Sequence, residues 1–143
     1  MTSLLTRSVV RLLLPAALVT AAAILVKGYR DTGDGFAAGV IAAIGVLLQY
    51  AAFGTRTVER LLPVHLASRA AVLGLALVLA VAFGPCLAGH PPLTHFPQPG
   101  SEPIHLGTLE LHTAVLFDLG IFLVVLGFAV RVVSAVAHAG EPA

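Results

Sequence analysis

Four long apolar runs divide the sequence, and each is the length of a bilayer crossing. They cover residues 9–26, 36–53, 66–87 and 111–136. A helix rises 1.5 Å per residue, so about 20 residues cross a hydrocarbon layer of about 30 Å. A water-soluble core in a 143-residue chain has no room for this much apolar side chain. Hydrophobic residues make up 58% of the chain and charged residues 10%, where a soluble domain carries roughly 25% charged. The solvent implied is lipid. Four spans with short connections fill the length and leave no soluble domain. The expected fold is an all-α membrane protein, one transmembrane domain over residues 1–143 with four transmembrane helices.

The first run, VVRLLLPAALVTAAAILV, holds Pro15, which a membrane helix tolerates as a kink. Its beginning resembles a signal peptide, with arginines, an apolar stretch and TAAA. The apolar character continues through Ile24, Leu25 and Val26 without a polar cleavage region, so a retained helix is expected. Basic residues set the orientation. Arg7, Arg11, Arg56, Arg60, Arg69 and Arg131 fall on one side of the four spans, and Lys27 and Arg30 on the other. The positive-inside rule then puts both termini in the cytoplasm of a multi-pass protein of the cell membrane. The Lys27–Gly39 stretch and the Pro- and Gly-rich connection over 89–110 face outward, the latter expected as a loop.

Composition narrows the function classes. The net charge is +1, with no basic patch carrying interleaved aromatics, so nucleic acid is not an expected partner. A lone cysteine, Cys86, precludes an internal disulfide and reads as a small hydrophobe. His90, His95, His105 and His112 crowd the outer connection without the tight pairs of a zinc site. No metal and no cofactor is expected. There is no nucleophile–base pair, phosphate loop or dinucleotide fingerprint, so the chain is not expected to be an enzyme.

The polar features that remain are few. KGYRDTGDGFAAG, residues 27–39, sits between the first two spans. Gly35 and Gly39 form G-x-x-x-G and Ala43 extends the pattern, giving a helix face open to close approach by a neighbour. Asp34 stands just before that helix, where a carboxylate caps backbone N–H groups. Asp31 and Asp34 could alternatively attract cations at an outer vestibule, whereas the spacing of DTGDG does not fit a calcium loop. Gln49 and Tyr50, inside the second span, are expected to hydrogen-bond between helices.

In the last span Thr113, Gly120, Gly127 and Ser134 recur every seven residues, a seam of small residues where another helix docks. At 100° per residue, Asp118 points about 160° away from that seam. An acid inside an apolar run faces protein or water, because lipid exposure costs roughly 2.5 to 3.5 kcal/mol. Asp118 is thus either a buried polar contact, such as one to a partner protein, or a group on a proton or cation path. With both faces in use, the last span is expected between two neighbours, one of them supplied by a partner protein.

Two runs in this sequence resemble a known family. GYRDTGDGFAAGVIAAIGVLLQYAAFG is similar to the region between the first two helices of the B-type component of the multisubunit Na⁺/H⁺ antiporters called Mrp or Mnh (MrpB or MnhB), which carries a G-H-x-x-P-G-G/D-G-F-x-x-G run. TAVLFDLGIFLVVLG is similar to the L-L-F-D-I-G-V-like run of its last helix. Gly33, Asp34, Gly35, Phe36 and Gly39 match the first, and Phe117, Asp118 and Gly120 the second. Tyr29 replaces the family's usual His and Thr32 its usual Pro. A proton role for that histidine does not transfer to a phenol, whose reference pKa is about 10.

The resemblance implies an accessory membrane subunit of a multisubunit monovalent cation (Na⁺)/proton antiporter. Its partners would be the large complex I-like subunits, which carry the proton channels in that family, and other small hydrophobic subunits. Competing readings are the equivalent subunit of a membrane-bound hydrogenase, a self-contained four-helix exporter acting as a homodimer, and a purely structural scaffold.

Overall fold

The computed structural model describes residues 4–28, 33–61, 63–96, 104–106, 109–111 and 113–139. Four long helices, α1 (Leu4–Lys27), α2 (Gly35–Phe53), α4 (Ala67–Leu87) and α5 (Thr113–Ala139), form the body of the molecule. A short α3 (Thr55–Leu61) and a single 3₁₀ turn (Val64–Leu66) join α2 to α4. With that turn leading into α4, all four long segments are apolar and long enough to cross a membrane. The fold is that of an all-α membrane protein.

The helices form a row in the order α1, α2, α5, α4. Packing inside it depends on small side chains. Ala38 and Ala42 of α2 are completely buried against Ala21 of α1, with Phe122 and Leu126 of α5 alongside. Large residues point outward: Leu12 is 72% exposed and Phe36 62%. A soluble protein has the reverse distribution. In lipid the hydrophobic effect does not draw helices together, so backbones approach closely and dispersion holds them.

Local signals set the ends. Pro15 lies within α1 and supplies no N–H to the helix. Nearby in α1, the Val10 carbonyl accepts from Gln49 Nε2 of α2 at 2.7 Å, giving a membrane-buried amide a partner across helices. Gly54 closes α2: its N–H donates to the Tyr50 carbonyl, and its φ of +76° suits glycine. Pro85 is accommodated in the last turn of α4, where the N–H groups of Ala88 and His90 both reach its carbonyl.

The connection expected as a loop also contains a short antiparallel ribbon, β1 (Ile104–Leu106) paired with β2 (Leu109–Leu111), with His105 opposite Glu110. Apolar residues alternate on both sides of Gly107-Thr108 in IHLGTLEL, the pattern of a hairpin. Its brevity within a Pro-rich stretch hid it. The two ends of the molecule differ in what they carry. The turn end has the connection from α1 to α2, and the α3 end has the connection from α2 to α4.

Candidate functional site

At the turn end, Gly33 and the start of α2 lie against the second turn of α5. Gly33 adopts φ +123°, a conformation side chains disfavour. Its N–H donates to Asp118 Oδ2 at 2.7 Å. Asp118 is only 6% exposed. Immediately afterwards Gly35 opens α2 against the backbone of Asp118, where an added Cβ would collide with the Asp118 carbonyl oxygen. Gly28, at the end of α1, completes the junction: a Cβ there would lie 3.1 Å from Asp34 Cβ and 3.4 Å from Asp118 Oδ2. The end of α1, Gly33 and the start of α2 thus converge on Asp118 of α5. Asp118 lies five residues into α5, about 7.5 Å from its start, near the edge of the apolar layer rather than its middle.

Asp34 does not cap α2 with its side chain. It occupies the N-cap position, but no side-chain cap bond forms, and its φ and ψ of −83° and −7° are already helical, where an N-cap ordinarily adopts extended backbone. Its backbone carbonyl instead accepts from the Ala38 N–H at 3.0 Å. The carboxylate turns back toward α1, with Oδ2 3.5 Å from Lys27 Nζ. That oxygen is buried and has no hydrogen-bond partner, so the contact with Lys27 is ionic in character. Tyr29, Arg30, Asp31 and Thr32 lie outside the described residues.

α5 is gripped on two faces. Toward α2, Gly39 meets Val125, with an added Cβ 2.8 Å from Val125 Cβ. Ala43 is buried in α2. Toward α4, Gly120 and Gly74 approach each other: a Cβ on Gly120 would stand 3.0 Å from the Gly74 carbonyl oxygen, and one on Gly74 2.7 Å from that of Gly120. Gly127 packs against Ala67 and Ala71 in the same way. Both neighbours of α5 are therefore helices of this chain. The expectation that a partner protein must supply one of them is corrected, because the row order places α5 between α2 and α4. Asp118 likewise finds its hydrogen-bond donor within the chain.

Thr113 and Ser134, at the ends of the small-residue seam, are hydrogen-bonding residues. Thr113 exchanges bonds with Phe96: its N–H donates to the Phe96 carbonyl at 3.0 Å, and its Oγ1 accepts from the Phe96 N–H at 2.9 Å. Ser134, almost fully buried, donates from Oγ to Glu59 Oε1 of α3 at 2.7 Å.

Around Glu59 is a polar knot at the α3 end that was not anticipated. Tyr50 Oη donates to the same Oε1 at 3.3 Å, and His138 Nε2 stands 3.5 Å from Oε2. His138 Nδ1 is 2.8 Å from the Ser134 carbonyl, and a carbonyl only accepts, so Nδ1 carries a proton. Two signals for this knot were present in the sequence: Glu59 is the lone acid between the second and third runs, and His138 follows Ser134 by four residues, one helical turn.

The junction at Asp118 joins GYRDTGDGFAAG to TAVLFDLG, runs that lie 85 residues apart at the Gly33–Asp118 bond. A family model described as a domain related to the MnhB subunit of Na⁺/H⁺ antiporter matches residues 5–131. The chain belongs to the MnhB family. Among relatives of this MnhB-family chain, the B-type component of the Na⁺/H⁺ antiporter of Alkalihalophilus pseudofirmus is 37% identical over 111 residues, covering 78% of this chain and 76% of that one. The protein of the same name from Bacillus subtilis is 35% identical over 113 residues, 79% and 78% of the two chains. A Rhizobium meliloti protein named as the combined A/B component of a probable K⁺/H⁺ antiporter is 39% identical over 130 residues, which cover 91% of this chain and 13% of that much longer protein.

Proposed function

We propose that this chain is an accessory subunit of a multisubunit monovalent cation/proton antiporter, residing in the cell membrane with both termini in the cytoplasm. Membership of the MnhB family supports it, as do relatives whose names describe antiporter subunits. Those names mention both Na⁺ and K⁺, so the reading extends to monovalent cations as a class. The carrying observation is that the two family runs meet in one bond, Gly33 N–H to Asp118 Oδ2 at 2.7 Å. In this reading the bond fixes the shape of the turn end, and other subunits of the antiporter, large complex I-like ones among them, dock on the shaped protein. Asp118 serves as a structural carboxylate, and Asp34 and Lys27 form an ion pair beside it. The exporter and hydrogenase readings have no such support among the relatives' names.

The test is cation/proton exchange in membrane vesicles carrying the co-expressed subunits, with and without this chain. Exchange of Na⁺ or K⁺ for protons is expected only when the chain is present, and the chain is expected to co-purify with the other subunits in mild detergent. Exchange that is unchanged without it would overturn the reading, as would exchange by the purified chain alone.

A further inference from the structure

A cleft of about 680 Å³ opens at the α3 end, between the first turns of α1 and the junction of α2 with α3. Arg7 and Arg11 lie along one side, a helical turn apart, with Ser8 between them, and Phe53 and Thr57 form the facing wall. The Arg11 guanidinium sits over the Phe53 ring, 5.5 Å from its centroid, a cation–π contact that holds the head group toward the cleft. Ser8 Oγ donates to the Leu4 carbonyl, so the positive charge of the cleft comes from the arginines.

We propose that this cleft binds an anionic phospholipid, with the headgroup phosphate between Arg7 and Arg11 and an acyl chain descending past Leu12 and Phe53. Three features argue for this ligand. A guanidinium fork matches the paired oxygens of a phosphate, and two forks one turn apart bracket a single one. Both arginines lie in the opening turns of a membrane-crossing helix, at the depth where headgroups lie and where basic pockets between helices hold acidic lipids. The apolar side of the cleft runs on into the outward face of α1, where Leu12, Leu18 and Val19 are exposed. A free phosphate would leave that surface uncovered, whereas an acyl chain covers it. A zwitterionic headgroup brings its own cation toward two guanidinium groups and is disfavoured. The inference rests on the membrane-spanning fold and is independent of the transport reading.

The test is native mass spectrometry of the full-length chain in mild detergent, with phosphatidylglycerol and phosphatidylcholine supplied in equal amounts. Wild-type protein should retain phosphatidylglycerol over phosphatidylcholine by about tenfold. The double variant Arg7→Gln/Arg11→Gln should lose that preference, and Arg56→Gln, on α3 outside the cleft lining, should keep it. Inorganic phosphate added in excess should not displace the bound lipid. Helix content by circular dichroism confirms that the variants are folded. If the double variant does not fold, the wild-type lipid ratio and the phosphate arm remain decisive. Equal retention of both lipids by wild-type protein would overturn the proposal, as would a preference that survives in the folded double variant or displacement by inorganic phosphate.

Discussion

At the turn end, α5 is held by a carboxylate that is 6% exposed and takes its hydrogen bond from a backbone N–H. At the α3 end it is held through Glu59, whose side chain is 31% exposed and whose partners are side chains on α2 and α5. The same helix is thus tied at both ends by an acid, in opposite settings. Near the apolar layer an unpaired N–H or carboxylate costs more than it does at a wetted surface. Backbone also cannot move aside as a side chain can. The Asp118 junction should therefore be rigid and intolerant, and the Glu59 knot adjustable.

Substitutions at the two ends test that contrast, beginning with the largest effect. Gly35→Leu puts a side chain where the Asp118 backbone lies. It should separate α2 from α5, at a cost of about 3 kcal/mol or more, and abolish assembly on native gels while leaving membrane insertion intact. Normal assembly would break the comparison at its strong end. Next is Asp118→Ala, which strands the Gly33 N–H and should lower stability in detergent by about 1 to 3 kcal/mol. Assembly and transport should fall together. Loss of transport with normal assembly would instead place Asp118 on the ion route.

Gly39→Leu meets Val125 Cβ and, slightly farther off, the Phe122 carbonyl oxygen. These contacts are less close than the one at Gly35, so a cost of about 1 to 3 kcal/mol and weakened assembly are expected. A variant as stable as wild type would show that the α2–α5 contact is looser than the junction beside it. The smallest effect belongs to Glu59→Gln, which keeps an acceptor for Ser134 and replaces the carboxylate that faces His138 Nε2. Thermal unfolding should register about 1 kcal/mol or less. A loss equal to that of Asp118→Ala would erase the distinction between the ends.

Much of this arrangement was legible in the sequence, for identifiable reasons. Helix number followed from run length, because the bilayer fixes the length of a crossing. The spacing of Gly35 and Gly39, and of Gly120 and Gly127, marked faces without side chains. Asp118 stood out because acids are rare in apolar runs. The neighbours of those faces were not legible: helix spacing gives the direction of a face, while the order of the row depends on all the helices together. Asp34 occupied the position of a cap, but only three-dimensional placement put Lys27 beside it. The Glu59 knot was obscured by its exposed, charged surroundings, which read as an orienting connection.

Asp118 ties Gly33, at the entrance of the second span, to the last helix through the Gly33 N–H. Hydrogen exchange at the Gly33 amide, followed by NMR in detergent micelles, tests it directly. The amide should be protected in the wild-type protein and exchange about tenfold faster or more in Asp118→Ala, with the middle of α2 unaffected. An unprotected Gly33 amide in the wild-type protein, or one whose exchange is indifferent to Asp118→Ala, would contradict it.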